Sequence, residues 1–273
     1  MSGSGSVMRL LYGTVPGRAV LQLIQRTRAE RVFVRFLHTP ASRLLIPSFA
    51  RANHIPEEQW RGRRFQSYRD FFIRKNDRDV DCTPEHLVSP CDGWLSAFPI
   101  TDDSSFAIKE SRYRVADLLE DAALAERFRG GVCLIFRLCA SDYHRYCWID
   151  DGVQGENHFI PGILHSVQPI ACEQYPVYTL NRRSWCAVET AHFGTVIHTE
   201  IGALVVGGIE NYRGSGPVSR GEEKGHFDLA GSTITLFFEP GRIVLRPELT
   251  RALAVCDEVR VQYGQWIGGC AAL

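Results

Sequence analysis

Apolar positions change their spacing once along this chain, near residue 80. Before it, Val20, Leu23, Ile24, Phe33, Phe36 and Leu37 recur at three- and four-residue steps. That is the period of one helix face, and it predicts an amphipathic helix over 17–37. Arg26, Arg28, Arg31 and Arg35 fall between the apolar residues, and Pro40 ends the segment. A second helical stretch is expected over 41–53, kinked at Pro47. A third is expected over 57–74, with Tyr68, Phe71 and Phe72 near its end.

From about Pro84 the apolar runs shorten, and Gly, Pro and Asp separate them. Examples are GVCLIFRLC (131–139), TVIHTEIGALVVGGI (195–209), STITLFFE (232–239) and RIVLRPEL (242–249). Runs of Val, Ile and Phe bounded by turn formers predict strands. A short helical pattern over 115–129 reads as an insertion between them. The expected fold class is α+β. A mainly β, sandwich- or barrel-like body (81–273) follows a basic helical arm (1–80).

Charge sharpens that division. The chain is neutral overall, yet residues 1–80 carry 15 Lys and Arg against six Asp and Glu, and the remainder 16 against 25. A basic arm with an apolar face suits an anionic partner, either a lipid surface or nucleic acid, and can equally pack on the body with its Arg side chains solvated. No recognised nucleic-acid module accompanies the charge, so nucleic acid is not expected. No apolar run reaches 18 residues, so no membrane-spanning helix is expected. The N-terminal MSGSGSVMRLLYG lacks the apolar core of a signal peptide. The nine cysteines include no CxxC pair and predict neither a disulfide framework nor a metal site.

Three stretches carry candidate chemistry. VSPCDGWLS places Asp92 in a Pro-Cys-Asp-Gly turn. SDYHRYCWIDDG (141–152) gathers Asp142, His144, Arg145 and Cys147 after an apolar strand. A histidine beside an aspartate is either a satisfied structural pair or a general base. If that stretch is extended, Asp142 and His144 share a face. The third stretch, RGEEKGHFDLAGSTITLFF (220–238), sets Ala230-Gly231-Ser232 at the mouth of a strand. The Gly231–Ser232 bond is either part of a plain turn or the substrate of an N→O acyl shift. In the shift, Ser232 Oγ attacks the Gly231 carbonyl; elimination across Cα–Cβ and hydrolysis then leave a pyruvoyl group.

Taken together and in order, SPCDG, DYHR, HFGTVIHTEIGALVVGGIE and GEEKGHF…GST resemble the phosphatidylserine decarboxylase family. The resemblance runs from YRDFFIRKNDRDVD (68–81) to STITLFF. It implies a proenzyme that cuts itself between Gly231 and Ser232. The products would be a β chain, 1–231, and a 42-residue α chain, 232–273, capped by pyruvoyl from Ser232. It further implies conversion of phosphatidylserine to phosphatidylethanolamine and CO2 through a Schiff base. Asp92 matches the acid of the family's processing triad, and His144 the proton donor in decarboxylation.

Many family members carry a second histidine three residues after the first, where this chain has Cys147. Three readings follow. His144 serves both steps, or another histidine such as His165 or His158 comes in from a neighbouring strand, or the chain is a non-processing, membrane-binding pseudoenzyme. A decarboxylase of a soluble amino acid or another lipid is the alternative activity. A phosphatidylserine substrate favours the interfacial reading of the arm. The expected location is then peripheral, on the cytoplasmic face of an anionic phospholipid membrane, with a homodimer left open.

Overall fold

The computed structural model describes residues 3–27, 30–108, 111–203, 208–229 and 232–271. The arm holds more helices than the spacing predicts. In place of one helix over 17–37 there are α2 (Val15–Thr27) and α3 (Glu30–Leu37), preceded by α1 (Gly3–Gly13). α1 and α2 meet at Thr14, whose hydroxyl donates to Leu10 O and accepts from Gly17 N. A Cβ on Gly17 would lie 1.9 Å from Leu10 O, so the tight reversal requires glycine there. Pro47 does not kink a helix. It sits in the first turn of α4 (Ile46–Ala52), after a 3-10 turn at Pro40–Leu45, where a missing N–H leaves no bond unmade. α5 (Tyr68–Phe72) is capped by Ser67, whose hydroxyl accepts from Asp70 N.

The arm packs against the body at two places. Tyr12 and Leu21 of the α1–α2 hairpin are buried in the body's core, and Tyr12 Oη accepts from Ser166 N at 2.8 Å. Leu37, Ile46, Ala50, Ile55, Trp60, Phe71 and Phe72 form a second apolar cluster, which reaches into the body to take in Leu229.

Twelve strands position the site. In chain order they are β1 (Gly93–Pro99), β2 (Val132–Leu138), β3 (Arg145–Cys147), β4 (Gly152–Gln154), β5 (His158–Ile160), β6 (Arg183–Thr190), β7 (Gly194–Ile201), β8 (Gly208–Asn211), β9 (Gly216–Val218), β10 (Glu223–Asp228), β11 (Ser232–Phe238) and β12 (Val259–Val261). The main sheet runs β9-β4-β6-β7-β11-β2-β1-β12, with β5 also paired to β6. Its two ends do not meet, so the sheet is open rather than a closed barrel. A second sheet runs β8-β10-β3.

Alternation along β2 and β11 explains the layering. Cys133, Ile135 and Phe237 face one core with Ile197, Trp185 and the α1–α2 hairpin. Leu134, Phe136, Leu138, Ile234, Leu236 and Phe238 face the other core, with Tyr146 and Phe227 of the second sheet. All seven residues of β11 are buried. A strand covered on both faces loses the polar-out alternation, and in STITLFF even Ser232, Thr233 and Thr235 are buried beside the four apolar residues. The segment RIVLRPEL contains a strand only over Ile243–Leu245. Pro247 then opens a helix to Leu253, as proline favours a first helical turn. The 115–129 insertion is two short helices, Val115–Leu119 and Ala122–Glu126.

Candidate active site

Antiparallel pairing brings distant residues to one end of the main sheet. β11 begins at Ser232, opposite Leu138 at the end of β2, and Thr233 faces Ile201 at the end of β7. β1 begins directly after Asp92, and its Gly93 lies opposite Val261 at the end of β12. The same end therefore gathers Asp92, the turn after Leu138, Gly202, Ser232 and Tyr263.

The turn after Leu138 carries Asp142 and His144. Asp142 is buried, and its carboxylate accepts from Cys139 N at 2.7 Å and from both terminal nitrogens of Arg260 at 2.6 and 3.0 Å. Asp142 N donates back to Cys139 O. These bonds close a turn, so β3 starts only at Arg145 and the stretch is not extended through Asp142 and His144. The main-chain oxygen of Asp142 lies 2.9 Å from His144 Nδ1. A carbonyl only accepts, so Nδ1 carries the hydrogen and the neutral ring keeps its lone pair on Nε2. His144 is wholly buried, with the Phe72 ring 4.0 Å away and Phe227 N bonded to its carbonyl. The arm thus covers the imidazole.

Asp92, also buried, accepts from Arg78 Nη2 and from the Tyr263 amide, both at 2.9 Å. Arg78 in turn lies over the Tyr143 ring. Cys147 packs with Tyr143 and Tyr263, and burial pushes its thiol up to about 12. A thiol in that state is neutral at physiological pH and is neither base nor nucleophile. His165 stacks on Tyr175 at 4.3 Å, and burial holds its pKa below the ordinary histidine value. Asn181 bonds both the His165 main chain and Gly202 O, tying that segment to the end of β7. His158 sits on the outlying strand β5, stacked on Trp185.

The Gly231–Ser232 pair expected to be cut is described only in part. Ser232 is buried at the start of β11, while Gly231, with Ala230, lies outside the described residues. Leu229, just upstream, has φ +50°, a left-handed conformation that leucine rarely adopts. Its side chain is buried in the arm's apolar cluster, so packing holds the backbone there. Sequence reasoning missed Arg260, Arg78, Phe72 and Leu229. Phe72, Arg78 and Leu229 stand inside the quoted stretches but act through contacts from the arm, and Arg260 acts across 118 residues of chain, so their roles are not local.

A buried strand-initial serine, an imidazole of fixed tautomer and anchored carboxylates lie at one sheet end, the set of groups that acid–base chemistry needs. Among the described residues no group of His, Cys, Asp and Glu side chains is placed to hold a metal. Residues 66–269 match the phosphatidylserine decarboxylase family, and the chain belongs to that family. It is 37% identical over 265 residues to phosphatidylserine decarboxylase proenzyme 2 of Clostridium acetobutylicum, covering 96% of this chain and 91% of that protein. It is 34% identical over 266 residues to the phosphatidylserine decarboxylase proenzyme of Clostridium perfringens, covering 94% and 90%. For the proenzyme of Desulfitobacterium hafniense the identity is 33% over 273 residues, covering 96% and 91%.

Proposed function

We propose that this chain is a proenzyme that cuts itself between Gly231 and Ser232 and then converts phosphatidylserine to phosphatidylethanolamine and CO2. The observation that carries the reading is the place of Ser232: first residue of a central strand, at the sheet end that holds Asp142, His144 and Asp92. In the cut, Nε2 of His144 takes the Ser232 hydroxyl proton as Oγ bonds to the Gly231 carbonyl carbon. The peptide C–N bond then breaks, its nitrogen taking up a proton, and an ester replaces it. Elimination across Cα–Cβ of residue 232 frees the Gly231 carboxylate. Hydrolysis of the remaining enamine releases ammonia and leaves a pyruvoyl group.

The surroundings fit that group, since residue 232 is buried and its strand is paired on both sides. Once formed, the pyruvoyl carbonyl supplies an electron sink for loss of CO2. The chain's own residues do the rest. His144, recharged with a proton at Nε2, returns it to the substrate Cα. Phe72 excludes water around the imidazole. Cys147 takes no part, and His144 serves both steps.

The arm is the proposed docking element for an anionic membrane surface on the cytoplasmic side. Val15, Val20, Val32, Phe33, Phe36 and Leu44 are exposed large apolar side chains on a segment with a strong excess of arginine. No described helix is long and apolar enough to cross a membrane.

The decisive experiment is the intact mass of the purified protein. Two fragments, the smaller reacting with hydroxylamine, are expected from the native chain, and a single chain from Ser232→Ala. Vesicles containing phosphatidylserine should yield phosphatidylethanolamine with the native protein only. An uncut native chain, or activity in Ser232→Ala, overturns the reading. Replacing Phe33 and Phe36 by Ser should lower co-sedimentation with such vesicles about tenfold or more, given about 1.5–3 kcal/mol for each large apolar side chain buried.

A further inference from the structure

We infer that Arg260 is a positioning residue for His144, acting through Asp142; the inference rests on the proposed role of His144. Arg260 lies on β12, the last strand of the main sheet, and pairs there only with β1. Its guanidinium grips both oxygens of the Asp142 carboxylate, at 2.6 and 3.0 Å, and one of those oxygens also takes the Cys139 N–H. Asp142 is 4% exposed, whereas the Arg260 side chain is 42% exposed. The arginine is thus the link between a buried turn and the surface. The same residue 142 presents its main-chain oxygen to His144 Nδ1. Carboxylate and carbonyl belong to one residue, so fixing the first aims the second.

Two consequences follow. Without the fork, a buried carboxylate keeps one N–H and no counter-charge, a strongly unfavourable state. The side chain relieves it by turning towards water, which swings its carbonyl away from Nδ1 and frees the ring to change tautomer. The charge balance also changes, since an uncompensated negative charge two residues from His144 favours the imidazolium. Arg260 would belong to the α chain and Asp142 to the β chain. The pair therefore spans the cut and ties the base to the chain that bears residue 232.

The test compares Arg260→Gln, Arg260→Lys and Arg127→Gln. Arg127 pairs with Glu239 at the opposite end of the sheet, also from β chain to α chain, so it reports a purely structural cross-chain tie. Arg260→Gln should lower kcat about tenfold and move the alkaline limb of the kcat profile, where the protonated donor is lost, upward by about one pH unit. Arg260→Lys keeps the charge but loses the fork. It should keep the native limb and lose kcat two- to fivefold. Arg127→Gln should leave the limb in place. A native limb in Arg260→Gln, with kcat as in Arg127→Gln, overturns the inference. If Arg260→Gln does not fold, a native kcat in Arg260→Lys overturns it and a reduced kcat at an unmoved limb supports it. A readout independent of turnover is the imidazole 15N spectrum in the Ser232→Ala background. It should show Nδ1–H for His144 with Arg260 present and a tautomer mixture with Arg260→Gln. An uncut, inactive native chain would sink the proposed function, whereas these nitrogen shifts decide the role of Arg260 on their own.

Discussion

Between the two sheets lies an ionic cluster apart from the proposed site, and it sets the acid stability of the fold. Glu200 on β7 is wholly buried, with Lys224 Nζ of β10 at 2.6 Å and His198 Nδ1 at 2.7 Å. Asn211 closes the network, giving its amide N–H to Glu200 and accepting from Lys224. Tyr146 and Trp148 wall it off, with Lys224 Nζ 5.1 Å from the Trp148 ring centroid. Burial alone would raise the Glu200 pKa, but Lys224 and His198 overcome it and hold the carboxyl at about 2. Replacing Lys224 by Met removes the full cation and leaves a buried carboxylate beside a histidine whose own pKa burial lowers. Breaking a buried pair from one side costs about 3–5 kcal/mol. At about 2–4 °C per kcal/mol for a domain of this size, Tm should fall on the order of 10 °C. The assay is thermal unfolding by circular dichroism at neutral pH, in the uncut Ser232→Ala background. Adding Glu200→Gln to Lys224→Met should restore part of the loss, because the stranded charge goes with it. A Tm within about 2 °C of the parent, or a double variant no better than Lys224→Met, would refute the reasoning. The pH dependence has a definite sign. A carboxyl lowered on folding stabilises above its unfolded pKa, and that stability is lost as pH falls from about 4.5 towards 2, roughly 3 kcal/mol in all. His198, lowered on folding, adds a loss that begins earlier, as pH falls below about 6.5 and the unfolded chain binds a proton that the native chain refuses.

Leu229→Gly should slow self-cleavage roughly tenfold, because glycine releases the left-handed strain, worth about 1–2 kcal/mol, and the packing that imposes it; an unchanged fragment time course on denaturing gels would exclude that role. Cys147→Ala should cleave within about twofold of the native rate, since a buried thiol that keeps its proton is no base for the Ser232 hydroxyl, and cost on the order of 1 kcal/mol in stability; a block in cleavage would return Cys147 to the mechanism. The Tm of the cut protein should rise with protein concentration while that of Ser232→Ala does not, because unfolding separates two chains in one case only; parallel behaviour in a dilution series would argue against cleavage into two pieces.

The legible parts of this fold are those with short-range causes. STITLFF reads as a core strand because both of its faces are covered, and β11 is that strand. The change of spacing near residue 80 marks the passage from helices to sheets. The arm's subdivision was harder to see. The reversal at Thr14 rests on a glycine that approaches a carbonyl oxygen, which a three- and four-residue apolar period does not register. Asp142 and His144 stand out as a pair in the sequence, and an extended strand would set them on one face, but the chain turns there instead. The carboxylate bonds backwards to Cys139 and outwards to Arg260, and the histidine is met by a carbonyl instead. Nothing near Val259–Val261 marks Arg260 as a partner of a residue 118 positions earlier. Cys147 looked like a gap in a motif, and only its burial between two tyrosines shows why a thiol there stays neutral.

The proposed cut falls where the fold can bear it. β11 is paired along its whole length with β2 and over six residues with β7, and both partners come from the longer fragment. The shorter fragment adds β12, edge-paired to β1, and the strand Trp266–Cys270, paired to His86–Val88. Tyr263 N reaches Asp92 and Arg260 reaches Asp142 from this same fragment. Every one of these contacts lies downstream of Ser232 and would survive the loss of one peptide bond before it. A bond inside β11 could not be cut on these terms, because a buried strand with both edges paired leaves no room for a carbonyl to turn towards an attacking hydroxyl. A bond far from the sheet end would lack the carboxylates and the imidazole. The first residue of a central strand meets both conditions, since its own pairing holds the new chain end in place. Leu229, three residues upstream, is held left-handed by the arm's apolar cluster.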